Sequence, residues 1–157
     1  KDVTSYTNPS PEPWTKYAKG LNPKEQAEYL ANLGVDLIIG THPHIINPIE
    51  WIDNTLVYYS LGNFISSQSN DSNFNKRIGL MGSVEFTKTI KGEEVLSKDL
   101  KSTNNELVYT YIKGNTYKAI PFSKMNNTYN KKYKSLYETY TKVIKMYDET
   151  LPVASIE

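Results

Sequence analysis

Both histidines of this 157-residue chain stand two positions apart, as His42-Pro43-His44. Neutral imidazole is the commonest protein ligand for transition metals, so the pair is a candidate metal-binding element. It follows a short apolar, β-branched stretch that stops at Gly40, and strand ends are where α/β sheets collect ligand and metal sites. Pro43 fixes its own φ and biases His42 toward an extended backbone. In an extended segment residues i and i+2 project to one side, which predicts two rings facing one pocket. A histidine in a loop also serves simply as polar surface, and that reading stands beside the first.

Two imidazoles alone hold a transition metal weakly, because stable sites take three or four ligands and dinuclear hydrolytic sites take more. The further donors near the pair in sequence are Asp36, Asn47, Glu50, Asp53 and Asn63. Asp36 reads as a strand-start residue and Asp53 as a turn former. Glu50, leading a strand just after the loop, and Asn63, following Gly62 where a strand ends, are the better placed. Cysteine is absent, which excludes disulfides and thiolate metal sites.

The elements that must position these residues are legible. Asn22 reads as a helix N-cap, with Pro23 at the first helical position and Glu25 at N3 as in a capping box. Gly34 ends that helix, and Ala27, Leu30, Ala31 and Leu33 offer it an apolar stripe. Helix, glycine, then a strand over 35–39 is an αβ step, which implies a parallel or mixed sheet covered by helices. Strands over 49–52 and 56–59 follow, joined by a tight turn at Asp53-Asn54. Residues 66–75 are almost wholly Ser, Asn, Gln and Asp and predict a long loop. Further strands are expected at 78–89, where Val84 and Phe86 alternate with polar residues, then at 94–100, 107–113 and 117–120. A turn at Lys91-Gly92 joins the first two of these, and the Asn-rich stretch 103–106 reads as a loop. Over 130–149 Tyr133, Leu136, Tyr137, Tyr140, Ile144 and Tyr147 recur at helical spacing, which predicts a helix packed through a tyrosine-rich stripe.

Composition narrows the function class. Eighteen basic residues against seventeen acidic leave a net charge of +1, so no global field favours nucleic acid. A polyanion would have to meet a local patch such as Lys131, Lys132, Lys134, Lys142 and Lys145, a set that also reads as an ordinary solvated helix face. The longest apolar runs are only a few residues, too short to cross a bilayer, and none of these residues is expected to form a charged-then-apolar leader.

The run GVDLIIGTHPHIINPIEWIDNTLVYYSLGNFISSQ, residues 34–68, resembles the C-terminal signature of the CapA family. These are bacterial proteins of poly-γ-glutamate capsule synthesis with a calcineurin-like metallophosphoesterase fold. The strand-Gly-x-His-Pro-His loop, the following Pro-Ile-Glu and the Tyr-Ser-Leu-Gly-Asn-Phe segment match together, and the resemblance covers 22–68. It implies an α/β fold, the C-terminal half of a metallophosphoesterase-like two-sheet sandwich flanked by helices. Residues 1–157 would then form the C-terminal part of one such domain, with an irregular lead-in at 1–20, an αβ and β-rich core at 22–120 and a C-terminal helix at 130–149. The earlier ligand motifs of that fold do not occur here, so the resemblance implies that a preceding half, or a second copy of the chain, completes the domain.

By position in the motif, His42 and His44 would each hold one divalent metal ion of a pair, of open identity. Asn63 would take a catalytic role beside the metals by orienting a substrate oxygen, or would cap a strand at the turn Gly62 allows. Glu50, Ser60 and Gly62 would lie on the substrate-binding side. The implied function is that of a component of bacterial capsule synthesis resembling a metal-dependent phosphoesterase. The alternative is a non-catalytic assembly or polymer-handling subunit with a degenerate metal site. Expected partners are an anionic polymer or phosphorylated substrate and a membrane synthase complex, with no nucleic acid. The expected location is the cell surface, membrane-associated through a segment absent from this chain.

Overall fold

A computed structural model of the chain describes residues 22–67 and 75–156. The expected lead-in at 1–20 and most of the expected loop at 66–75 lie outside the described residues. Among the described residues the fold is mixed α/β, with two three-stranded sheets and two α-helices.

The first helix, α1 (Pro23–Asn32), begins as its sequence demands. The Asn22 side chain accepts from the Lys24 backbone N–H at 3.0 Å, and Pro23 fills the first helical position, where a missing N–H costs nothing. Gly34, at φ 84, takes the left-handed position past the C-cap Leu33. The expected apolar stripe is largely not buried. Ala27 is buried against the sheet, whereas Leu33 is 65% exposed, because only a narrow edge of the helix meets the strands.

The first sheet has the order β1 (Leu37–Ile39), β3 (Thr55–Tyr58), β2 (Ile49–Ile52). β1 runs parallel to β3 in the register Leu37 to Leu56, Ile38 to Val57 and Ile39 to Tyr58. β2 and β3 form the expected hairpin, with Asp53 at φ 52 supplying the positive φ that a tight turn needs. Every residue of the central strand β3 is buried, as befits a strand covered on both faces. Val57 and Tyr59 pack with Ala27, Ile38 and Ile52 under α1. Leu56 and Tyr58 join the main core on the opposite face, with Ile49, Ile78, Leu107, Phe122, Tyr140 and Ile144.

The second sheet is a meander of β4 (Ile78–Lys91), β5 (Glu94–Lys113) and β6 (Thr116–Pro121), followed by a 3-10 turn at Phe122–Lys124. The expected interruption at 103–106 does not occur, and β5 runs unbroken for 20 residues. Asn105, an unpromising strand residue, is fully buried and satisfied. It accepts from the Tyr58 hydroxyl at 3.1 Å and donates to Ser102 Oγ and the Pro152 carbonyl at 3.0 and 2.9 Å. The Asn-rich composition shows instead as a β-bulge, with Ser83 opposite Asn104 and Val84 opposite Ser102. The distal part of the β4–β5 ribbon extends away from the core. Val84 and Phe86 alternate with polar residues as expected, with Leu100 paired opposite Phe86, but Phe86 is 50% exposed.

The second helix, α2 (Tyr133–Ile144), is shorter than its pattern suggests. Tyr133, Tyr140, Val143 and Ile144 seal the main core, while Tyr147 lies past the helix end and is exposed.

Candidate functional site

Gly40 continues the β1–β3 pairing by donating to the Tyr58 carbonyl at 2.7 Å, and the chain then enters the histidine loop. The expected extended geometry is not found there. His42 has φ 100 and His44 has φ 58, both in the positive region that non-glycine residues seldom occupy. Two consecutive reversals around Pro43 replace the extended zigzag, so the same-side rule for residues i and i+2 has no purchase on these rings. Pro43, Ile45 and Ile46 are buried, and this packing overrides the local preference that the proline imposes on His42. Positive φ at such residues costs on the order of 1–3 kcal/mol each and persists only where the surroundings over-determine it.

The second half of the site is a strap over 60–63 that ties the histidine loop to the second sheet. Asn47 N–H donates to the Ser60 carbonyl at 3.0 Å, and Ile46 pairs with Leu61 in an isolated bridge. On the strap's other side Gly62 pairs with Gly79, and Leu80 N–H donates to the Leu61 carbonyl at 2.8 Å. Two glycines face each other here because the backbones nearly touch. A Cβ on Gly62 would stand 2.7 Å from the Ile78 carbonyl oxygen, with the Gly62 φ already at +65.

This strap delivers Asn63 to His44. Asn63 Nδ2 donates to the Lys76 carbonyl at 3.0 Å, which turns its Oδ1 toward His44 Nδ1 at 2.9 Å. With Oδ1 accepting, His44 carries its proton on Nδ1 and presents Nε2 with a free lone pair. A ring nitrogen pinned by an amide or carboxylate while the other stays open is how metal-ligating histidines are usually held. His42 is exposed.

The remaining expected site residues fall as follows. Ser60 is buried, and its Oγ accepts from Gly62 N–H at 3.3 Å. Glu50 sits on the α1 side of the sheet. Its Oε1 pairs with Lys24 Nζ at 2.6 Å, and its Oε2 accepts from the Tyr59 hydroxyl at 2.8 Å. Burial and the adjacent Glu50 carboxylate push the Tyr59 phenol far above its ordinary pKa. The hydrogen bond to Glu50 likewise raises Lys24. Asp36 pairs with Lys98, and Asp53 occupies its turn, so neither joins the histidines. Sequence reading missed the part played by Lys24 and by the Lys76 carbonyl. Lys24 carried no distinguishing pattern, and a backbone acceptor has no sequence signal.

Among the described residues no group of three or more His, Cys, Asp or Glu side chains is assembled for a metal ion. His44, oriented by Asn63, therefore fits the part of a metal ligand, but the described residues alone do not make a complete site.

Residues 14–68 match the model of a family described as bacterial capsule synthesis protein PGA_cap. A 45-residue stretch, 29% of this chain, is 42% identical to the PGA biosynthesis protein CapA of Bacillus subtilis (strain 168) and covers 12% of it. A 55-residue stretch, 34% of the chain, is 31% identical to the capsule biosynthesis protein CapA of Bacillus anthracis and covers 13% of it. The chain thus aligns with about an eighth of the length of these relatives.

Proposed function

From the match of residues 14–68 to the bacterial capsule synthesis protein model, we propose that this chain belongs to that family and takes part in building a bacterial capsule polymer, with His44 as part of a divalent metal site. The observation that carries the metal reading is the His44–Asn63 pair, which lies within the matched segment. Asn63 fixes the tautomer and the ring plane of His44, leaving Nε2 to hold the ion, and in this reading His42 would supply a second imidazole from the same loop. The other donors would come from outside the described residues. A divalent ion held there would supply Lewis-acid polarisation of a phosphoryl oxygen, the chemistry of a metallophosphoesterase. The substrate in this reading is a phosphorylated precursor or the anionic poly-γ-glutamate polymer. The partners are the residues that complete the domain and a membrane synthase complex at the cell surface. Among the described residues no helix is long and apolar enough to cross a membrane.

A non-catalytic role in polymer handling, with a degenerate metal site, is the second reading. Metal content and phosphodiester hydrolysis of the intact protein separate the two. In the first reading the protein carries a divalent metal, and His44→Ala abolishes both binding and hydrolysis. Asn63→Ala weakens metal binding by about 10–100-fold. A protein that binds no metal, while His44→Ala still supports capsule formation in cells, refutes the metal reading.

A further inference from the structure

The Asn63 amide can face His44 in two ways that differ by a half-turn, and only one leaves Nε2 open. With Oδ1 toward Nδ1, as found, the ring proton sits on Nδ1. With Nδ2 there instead, Nδ1 must accept and the proton moves to Nε2. The Lys76 carbonyl makes the choice, because it can only accept and so draws Nδ2 to itself at 3.0 Å. The Asn63 backbone has little freedom to compensate, since an added Cβ at Gly79 would overlap its carbonyl group. What holds the Lys76 carbonyl therefore decides which nitrogen of His44 is available.

Lys76 lies in a single 3-10 turn over 75–77. After the turn, Ile78 is fully buried and opens β4. At its start, the Tyr140 hydroxyl of α2 donates to Asn75 Oδ1 at 2.7 Å, across 65 residues of sequence. Tyr140 is 6% exposed, and its ring belongs to the main core. A phenylalanine would fill that place in the core as well, so what the hydroxyl adds is the bond to Asn75. We propose that Tyr140 is a positioning residue for the histidine site. Its hydroxyl clamps the 75–77 turn, the Lys76 carbonyl then orients the Asn63 amide, and that amide keeps the His44 proton on Nδ1. The relay acts on the neutral ring and operates with no ion bound. Its value to a metal rests on the reading of His44 as a ligand, for which an open Nε2 is the requirement.

The test is the imidazole 15N spectrum of the full chain, treated with chelator, at about pH 8.5, where an ordinary histidine is neutral. His44 of the parent shows the Nδ1–H pattern. Tyr140→Phe lowers the ratio of Nδ1–H to Nε2–H at His44 roughly fivefold, the weight of one ordinary hydrogen bond, while His42 keeps its parent spectrum. Asn75→Ala does the same, whereas Asn75→Asp, which keeps an acceptor for the hydroxyl, retains the parent pattern. In an Asn63→Ala background Tyr140→Phe changes nothing further at His44, because the relay is already cut. The proposal is overturned if Tyr140→Phe lowers the urea midpoint but leaves the His44 tautomer unchanged, or if His42 shifts as much as His44. It is equally overturned if Tyr140→Phe still moves His44 when Asn63 is replaced. Metal uptake by the parent is read separately: the tautomer response without any uptake sinks the metal reading and upholds the relay.

Discussion

Replacing Gly40 by alanine tests how the first sheet holds the histidine loop. A Cβ there would stand 2.3 Å from the Tyr59 carbonyl oxygen, 3.0 Å from its carbon and 3.3 Å from the Tyr58 carbonyl oxygen. All three atoms are backbone of the buried central strand or its continuation, so no side chain can move aside. Restoring ordinary contact requires the end of β1 to open by about 1 Å, which stretches the 2.7 Å bond from Gly40 N–H to Tyr58. Overpacking strain together with a weakened buried backbone bond amounts to roughly 3–5 kcal/mol, a large share of a typical domain's stability. Gly34→Ala is the control, because its φ is +84 but nothing lies within 4 Å of the added Cβ. Only the conformational penalty applies there, about 1–2 kcal/mol. Urea denaturation followed by far-UV circular dichroism measures both variants. The reasoning is refuted if Gly40→Ala costs no more than Gly34→Ala, which would mean that β1 is free to shift against β3.

Three further outcomes follow from the packing and the charges. Phe122 is 1% exposed at the centre of the main core, so Phe122→Ala is expected to lower stability by about 3–5 kcal/mol with an unchanged denaturant slope. Burial raises the phenols of Tyr58, Tyr59 and Tyr140, and Lys24 is raised by Glu50. These groups contribute fully below the unfolded-chain values near 10 and 10.5. Above them the unfolded chain gives up protons that the folded chain keeps, so stability falls with rising pH, by at most about 1.4 kcal/mol per pH unit for each such tyrosine once the unfolded phenol is ionised. Denaturation curves between pH 9 and about 11 should show this slope, and Tyr59→Phe should remove one proton's share of it. Lys24→Met should cost no more than about 1 kcal/mol at neutral pH, since the lysine side chain is 38% exposed, and added salt should narrow the gap. A larger, salt-independent loss would show that α1 is held chiefly by this ion pair.

Local signals carried the elements well. The Asn22-Pro23 start and Gly34 stop of α1, the 53–54 turn and the parallel αβ step all rest on short-range chemistry, and all appear in the fold. The Asn-rich stretch at 103–106 misled because composition reports solvation preference in isolation. In the folded chain Asn105 finds Tyr58 from the first sheet and Pro152 from the chain's end, partners 47 residues away on each side. The histidine loop misled in the opposite sense. Pro43 sets a real local bias, yet burial of Pro43, Ile45 and Ile46 outweighs it and drives both histidines to positive φ.

Residue type and spacing were enough to single out His42, His44 and Asn63 as candidates and to put the histidines after a strand end. Which of them meet, and through which atoms, came from long-range packing. Asn63 reaches His44 because the Gly62–Gly79 close approach lets the strap cross to the second sheet, where the Lys76 carbonyl orients its amide. Glu50 turns toward Lys24 and Tyr59, on the α1 side, and Asn47 is buried beside a cleft with its amide unpaired. Spacing along a chain fixes which side chains are near one another in sequence. Which hydrogen-bonding atoms meet depends on how two sheets and a helix pack, and that packing is set by contacts between residues far apart in sequence.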